Sequence, residues 1–316
     1  MTQYIIRRLL LAVPTILLVL FATFMMLRLV PGDVVELIMA ENPYADETYR
    51  AQLEEQLGLD KPIPVQFAIY MGEVLRGDLG ESPWTRRAVS DELRRRLPVT
   101  LEFALYTIIL GLIIAIPIGV YAAIRQDTWG DYFGRSFAIL GLSVPYFVTA
   151  LFLIIFPQMW FGWTPPLSYK SWGDGPWDHI YYFFWPALLL GINLAAGVMR
   201  MTRTMMLEVL RQDYIRTAWS KGLRERVVIT RHALKNAMIP VLTIIGLQVS
   251  VAIGGTIILE SIFNMPGVGR YFIQAVFNRD YPSVQGVVIV LAIVVVLVNL
   301  IVDVLYGVLD PRIRYS

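Results

Sequence analysis

Long apolar runs alternate with shorter polar stretches along this 316-residue chain. Six of the runs are close to the roughly 20 residues that a helix needs to cross about 30 Å of hydrocarbon. Backbone groups within lipid must be hydrogen-bonded internally, so each run is expected to be a helix. The predicted spans lie at residues 9–27, 100–123, 135–157, 182–200, 237–260 and 284–309. The pattern therefore predicts an all-α integral membrane protein with six transmembrane helices.

The stretch between the first and second spans has a different pattern, with acidic and basic residues mixed among apolar ones. Residues 47–57 predict a helix with Asp46 as its cap and Gly58 as its stop. A second amphipathic pattern follows at residues 67–75. We therefore expect a small helical external domain between helices 1 and 2. The predicted division is a transmembrane helix at 1–28, an external domain at 29–98 and a core domain of five transmembrane helices at 99–316.

Basic residues are distributed unevenly among the segments between spans. The N-terminus, the 124–135 turn, the 200–236 loop and the C-terminal tail together hold fifteen Lys and Arg, whereas the loops near 158–181 and 261–283 hold three. Cytoplasmic loops carry the excess of Lys and Arg in membrane proteins. The charges therefore predict that both termini and the 200–236 loop are cytoplasmic. Arg94, Arg95 and Arg96 oppose this orientation, but they belong to a loop longer than about 60 residues, where the rule loses force.

The basic 200–236 loop contains the pattern of a short amphipathic helix. Asp213 is a predicted N-cap, and Gly222 stands where the C-terminal cap is expected. Three apolar residues at i, i+3 and i+4 form one stripe: Ile215, Ala218 and Trp219. Such a helix of about two turns is suited to contact with a soluble partner. From these residues alone, a helix lying on anionic lipid is also open.

Composition limits the chemistry that the chain can carry out. It is 56% hydrophobic and 16% charged, with no cysteine and only His179 and His232, which we interpret as solvated loop residues. A disulfide, a thiolate metal site or a multi-histidine metal site is therefore not expected. The net charge of +2 gives no reason to expect a nucleic-acid partner. No G-x-x-x-x-G-K-[ST] run for binding ATP phosphates is present in the sequence, nor is an H-E-x-x-H or G-x-S-x-G motif.

The basic loop also carries a family resemblance. Residues 213–218 read DYIRTA and residues 221–223 read KGL, which resembles the EAA loop of ABC importer permeases in the oligopeptide, dipeptide and nickel subfamily. The E-A-A-x-x-x-G pattern falls on residues 216–218 and Gly222, in the version that replaces the glutamate. Lys235 departs from the proline of the general family. Further phrases resemble the subfamily along essentially the whole chain: RLVPGD at 28–33, LGLDKP at 57–62, GDLGES at 77–82, SVPYF at 143–147, ESIFNMPGVG at 260–269 and NRDYP at 278–282.

This resemblance implies a type I ABC importer permease fold and a multi-pass protein of a bacterial or archaeal cytoplasmic membrane. The implied partners are a second homologous permease subunit in a heterodimer, one or two cytoplasmic ABC ATPase subunits, an external substrate-binding protein, a peptide substrate and membrane lipid. The ATPases would bind ATP and Mg, and no cofactor is expected on this chain. The 213–224 helix would couple to the ATPases, with Trp219 as anchor and Gly222 as turn. The implied coupling residues are Asp213, Ile215, Arg216, Thr217, Ala218, Trp219, Lys221, Gly222 and Arg224.

Other functions stay open from the sequence. Importers of nickel chelates and of glutathione share the same permease pattern. A stand-alone ion-coupled carrier is a candidate from another class, with Asp303 as its best acid, although acids within the predicted spans lie toward the span ends. An intramembrane enzyme is disfavoured because the sequence shows no catalytic set.

Overall fold

The computed structural model describes residues 2–29, 34–41, 46–56 and 58–309, which are almost entirely helical. In chain order the elements are α1 (Thr2–Leu29), α2 (Val34–Glu41), α3 (Glu47–Gln56), α4 (Ile63–Leu75), α5 (Val89–Ile124), α6 (Trp129–Ser143), α7 (Tyr146–Phe161), a 3₁₀ turn (Trp172–Asp174), α8 (Pro176–Leu210), α9 (Asp213–Ser220), α10 (Glu225–Val227), a π-helix (Val228–Leu234), α11 (Lys235–Ile262), α12 (Val268–Phe277) and α13 (Tyr281–Leu309).

Five helices within the described residues are long and apolar enough to cross a membrane, and a bent pair raises the number to six if the pair counts as one span. The five are Ile6–Leu29, Val89–Ile124, Pro176–Leu210, Glu225–Ile262 and Tyr281–Val304. The bent pair consists of α6 and α7, which meet at 94°. The predicted fold class, an all-α membrane protein with six spans, is confirmed.

The third predicted span, at 135–157, is not one continuous helix. Helix α6 ends at Ser143, and Val144 is extended, with φ −98° and ψ 120°. Pro145 is the cause, because its ring disfavours helical backbone at the preceding residue and it has no N–H to continue the helix. Helix α7 then begins at Tyr146 in a new direction. The predicted third span is therefore present as a bent pair of helices rather than as one continuous helix.

The chain divides into two compact units. The first unit comprises Thr2–Val99 and Pro266–Val296, and the second comprises Thr100–Met265 and residues from 297 onward. Both contain several helices and their own buried apolar side chains. The predicted domain boundaries at 28/29 and 98/99, and the external location of residues 29–98, stay predictions.

Aromatic contacts tie α1 to α4 within the first unit. The buried Phe24 ring lies 5.1 Å from Phe67 and stacks on Tyr70 at 5.9 Å between ring centroids. The Arg28 guanidinium carbon lies 3.7 Å from the centroid of the Phe24 ring, a cation–π contact. Burial raises the pKa of the Tyr70 hydroxyl to about 12, against the opposing charge of Arg28. These side chains fix the short amphipathic helix α4 on the end of α1.

The predicted helix at 47–57 is confirmed as α3. The backbone N–H of Tyr49 donates to Asp46 Oδ1 at 2.8 Å, so Asp46 is its cap. Gly58 follows with a left-handed φ of +64°.

Two glycines allow α5 to approach α8 closely within the second unit. A Cβ atom on Gly119 would lie 2.8 Å from the carbonyl oxygen of Met199, and one on Gly111 would lie 3.0 Å from that of Gly191. Small residues at such contacts let the backbones of membrane helices pack directly. Helix α8 is buried along most of its apolar length, so it is the central helix of this unit.

Candidate functional site

The short helix predicted in the basic loop is present as α9, which begins at Asp213. Asp213 is not its N-cap, contrary to the prediction. The carbonyl of Gln212 accepts the first helical hydrogen bonds, from the N–H groups of Ile215 at 3.1 Å and Arg216 at 3.4 Å, which makes Gln212 the cap. Asp213 is the first helical residue, where its carboxylate still interacts favourably with the positive end of the helix dipole.

Gly222 ends the helix as the sequence predicted. Its φ of +72° lies in the left-handed region that favours glycine. Its N–H donates to the carbonyl of Trp219 at 2.9 Å, and the N–H of Leu223 donates to that of Ala218 at 3.4 Å. These two hydrogen bonds form a Schellman motif, which reverses the chain immediately after α9.

One face of α9 is buried against the rest of its own unit. Ile215 is only 1% exposed and Ala218 only 6%. Both belong to a buried cluster, here called the loop cluster, that consists of Ala123, Met206, Ile215, Ala218, Val228, Ala233 and Ala237. Helix α9 is therefore anchored on residues from α5, α8, the π-helix and α11.

The third member of the predicted stripe lies outside this buried face. Trp219 is 45% exposed, and Tyr214 is 44% exposed. The Tyr214 hydroxyl accepts a hydrogen bond from Asn236 Nδ2 at 2.9 Å, which fixes the orientation of that ring. The sequence reasoning missed Tyr214, although its place directly after Asp213 in the amphipathic stretch was a usable signal. The helix thus buries two apolar residues and presents two aromatic ones.

Four polar residues among the implied coupling residues are on the surface: Arg216, Thr217, Lys221 and Arg224. Arg216 Nη1 lies 3.5 Å from Asp213 Oδ1, and both side chains are largely exposed, so this ion pair contributes little to stability. The Thr217 hydroxyl donates to the carbonyl of Asp213 at 3.0 Å within the helix. The arginine and lysine side chains are therefore available to acidic or polar groups of a partner.

The chain returns from the loop through a π-helix, Val228–Leu234, before α11 continues. Val228 and Ala233 of this segment are buried in the loop cluster. Single π-helical turns inside longer helices occur frequently at functional sites. The segment joins α9 to α11 through packed side chains rather than through a flexible linker.

A buried ion pair joins α6 to α8 in the same unit. Arg203 Nε and Nη2 donate to the two oxygens of Asp131 at 2.6 and 2.7 Å, and Asp131 is 0% exposed. Asp131 also accepts from the backbone N–H of Asp127 at 3.1 Å, and Arg135 Nη2 lies 3.5 Å from its Oδ2. Bidentate arginine–carboxylate pairs are among the strongest polar contacts in proteins. The sequence reasoning missed the pair because its members are 72 residues apart.

A second polar cluster surrounds His179, whose interpretation as a solvated residue was wrong. His179 is buried in the first turn of α8. Its Nε2 lies 2.9 Å from Glu102 Oε1 and its Nδ1 lies 2.7 Å from the carbonyl oxygen of Lys170. Trp172 and Tyr106 also donate to Glu102 Oε1, at 3.1 and 3.0 Å. The ring is buried because the tryptophan-rich segment before α8 folds back over it.

That tryptophan-rich segment is itself held by local hydrogen bonds. The Ser171 backbone N–H and hydroxyl donate to Asp174 Oδ2 at 2.7 and 2.9 Å. The backbone hydrogen bond from Ser171 is the main reason that the pKa of Asp174 lies below its usual value. The Trp172 ring packs against His179 with 4.3 Å between ring centroids and a tilt of 30° between the ring planes.

Comparison of the sequence with known protein families shows which family this chain belongs to. The profile described as "Binding-protein-dependent transport system inner membrane component" matches residues 115–315, and the profile of the N-terminal part of such membrane components matches residues 1–104. The chain belongs to this family of inner membrane transport components. It is therefore a multi-pass transport subunit of an inner membrane.

Curated members of the family are similar to this inner membrane component over its whole length. It is 40% identical over 336 residues to the dipeptide transport system permease protein DppB of Alkalihalophilus pseudofirmus, with 100% of each chain covered. It is 40% identical over 339 residues to DppB of Escherichia coli, again with 100% coverage of both. It is 39% identical over 316 residues to the glutathione transport system permease protein GsiC of Salmonella typhimurium, with 100% of both chains covered.

Two solved structures share the fold of this inner membrane component. A structure of the MetNI methionine ABC transporter in inward-facing conformations aligns with a TM-score of 0.54 and 16% identity, covering 69% of this chain and 96% of that one. An amino acid ABC transporter structure with histidines aligns with a TM-score of 0.51 and 17% identity, covering 71% and 94%. The predicted type I ABC importer permease fold is confirmed.

Proposed function

We propose that this chain is the transmembrane permease subunit of an ATP-driven, binding-protein-dependent importer of peptides, in which it forms half of the translocation pathway. The observation that carries the proposal is the 40% identity to dipeptide permeases over the full length of both chains. The other half would come from a second homologous permease subunit. Substrate would arrive from an external binding protein, and energy from one or two cytoplasmic ABC ATPase subunits that bind ATP and Mg.

The proposed orientation has both termini and the basic loop in the cytoplasm. The excess of fifteen Lys and Arg on this side over three on the other supports it. In this orientation α9 faces the compartment that contains ATP. The His179 cluster and the tryptophan-rich segment would face the outside.

Helix α9 is the proposed coupling helix. Trp219, on its exposed side, would enter a groove of the ATPase, and Arg216, Lys221 and Arg224 would form the polar rim of the contact. Ile215 and Ala218 hold the helix on the loop cluster, so a displacement of α9 would move α8 and the π-helix with it. ATP binding would draw the ATPases together and open the permease pair outward, and hydrolysis would return it.

A substitution at Gly222 tests this coupling role. We expect Gly222→Val to leave the protein in the membrane but to abolish uptake, because a β-branched residue at φ +72° is strained by about 1–3 kcal/mol and the chain reversal after α9 is lost. Apart from its chain neighbours, no described residue has an atom within 4 Å of the position of an added Cβ, so crowding does not contribute. Membrane content is measured by immunoblot and uptake by labelled peptide in cells.

Gly222→Asn is the matched control for this substitution. Asparagine adopts the left-handed conformation more readily than other residues with a Cβ, so uptake is expected to be largely retained. Normal uptake by Gly222→Val would contradict the coupling role of α9.

Glutathione is the second candidate substrate, because GsiC is 39% identical over the whole of both chains. Purification from native membranes in mild detergent is expected to recover a second permease, P-loop ATPases and a binding protein. Proteoliposomes containing this complex are then expected to accumulate labelled dipeptide in the presence of ATP and the binding protein. Accumulation of glutathione instead would select the second candidate, and a nickel chelate is tested in the same assay.

Transport by the purified chain alone, abolished by neutralising Asp303, would contradict an ATP-driven importer and favour an ion-coupled carrier.

A further inference from the structure

A cavity of about 390 Å³ opens between α5, α6 and α8 in the second unit. Its walls combine apolar side chains, among them Ile139, Leu142 and Met199, with three arginines. The arginines are Arg135 of α6 and Arg200 and Arg203 of α8. Such a combination of a cationic patch with an apolar wall suits a ligand that is anionic at one end and apolar at the other.

The cations of the cavity are only partly neutralised by the protein. Asp131 accepts two hydrogen bonds from Arg203 and also lies 3.5 Å from Arg135, and Asp127 lies 3.9 Å from Arg135, so these two acids face three arginines. Arg200 is exposed and makes no ion pair with any residue that the structure describes. Arg135 Nε is buried and has no hydrogen-bond partner among the described residues. The cavity thus has an excess of positive charge and at least one buried donor that a ligand could satisfy.

The cavity lies at the depth where lipid headgroups are expected. Arg200 is the last residue of the span predicted at 182–200, directly after its apolar residues. Trp129, 90% exposed, and the exposed Tyr132 lie in the first turn of α6, and such aromatic residues are enriched at membrane interfaces. About two to three turns further along α6, Ile139 and Leu142 are exposed, as is typical of side chains that face acyl chains.

We propose that this cavity binds the headgroup of an anionic phospholipid. The phosphate would lie between Arg200 and Arg135, and an acyl chain would run along Ile139 and Leu142. A zwitterionic lipid would bring its own cation next to the arginines and bind less tightly. Basic pockets between transmembrane helices bind anionic headgroups in this way. With the proposed orientation, the lipid belongs to the cytoplasmic leaflet, where anionic lipids are concentrated.

Native mass spectrometry of the full chain in detergent tests the site. Dioleoyl phosphatidylglycerol is titrated against dioleoyl phosphatidylcholine, and one phosphatidylglycerol is expected to bind at least fivefold more tightly. Arg200→Gln is expected to weaken that binding roughly fivefold, the effect of losing one basic residue near a membrane surface. Arg200→Lys is expected to retain most of it. Arg125→Gln is the matched control, because Arg125 is exposed at the end of α5 but does not line the cavity.

Three results would overturn the assignment. Equal affinity for both lipids, or equal loss in Arg125→Gln and Arg200→Gln, would show that the arginines of the cavity do not select the headgroup. Displacement of phosphatidylglycerol by millimolar inorganic phosphate would identify a site for free phosphate. Anionic lipid that binds the lone chain but is absent from the purified importer complex would identify the cavity as a contact between subunits.

Discussion

Arg203→Ala is expected to destabilise this protein strongly, by about 3–5 kcal/mol in the free energy of unfolding. The substitution leaves the carboxylate of Asp131, which is 0% exposed, without its two short hydrogen bonds. Arg135 lies at 3.5 Å and is half-exposed, so it compensates only in part. The measurement is SDS-induced unfolding of the purified protein in mixed micelles, with the yield of folded protein as a second readout.

The double substitution Asp131→Leu/Arg203→Leu separates the charge from the packing. Removal of both partners leaves no uncompensated buried charge, and replacing a buried ion pair with apolar residues is often close to neutral. The double variant is therefore expected to recover most of the stability that Arg203→Ala loses. Equal instability of the two variants would show that the side-chain volume of Arg203, rather than its charge, holds α6 against α8.

Trp219→Ala is expected to weaken binding of the ATPase by at least about 2 kcal/mol, or roughly 30-fold, with little change in stability. Large aromatic residues dominate interfaces of this kind, and Trp219 is 45% exposed on a helix whose opposite face is buried. ATPase recovered with the tagged permease, and uptake in cells, are the two measurements.

Trp177→Ala is the matched control for Trp219→Ala. Trp177 is more exposed than Trp219 but lies at the other end of α8 from the basic loop, which would be outside the cell in the proposed orientation. This variant is expected to bind the ATPase normally. Full recovery of ATPase with Trp219→Ala would contradict the proposed anchor, whereas the peptide importer function could still hold with another contact residue.

Features that depend on neighbouring residues were predictable from the sequence. Hydrophobic runs set the spans, and Asp213 and Gly222 marked the ends of α9 to within one residue. The bend at Pro145 could also have been predicted from the sequence, because proline restricts the backbone of the residue before it, here Val144. It was missed because hydropathy alone does not distinguish a straight span from a broken one.

Features that depend on tertiary packing were not predictable in this way. Asp131 and Arg203 are brought together only when α6 packs on α8, and periodicity carries no information on such pairs. His179 is polar and falls within the predicted 158–181 loop, yet the segment carrying Trp172 covers it. Within the predicted stripe, Ile215 and Ala218 are buried whereas Trp219 is exposed. This difference also depends on the residues that α9 packs against.

The π-helix at Val228–Leu234 has a consequence for insertions and deletions. It accommodates more residues per turn than an α-helix. Removal of one residue would let the segment close as an α-helix with nearly the same total rotation, because the wide turn already contains the extra residue, whereas removal of a residue from the regular turns of α11 would rotate the preceding chain by about 100° and shift it by about 1.5 Å. A one-residue deletion is therefore expected to be tolerated better within this segment than in the regular turns of α11.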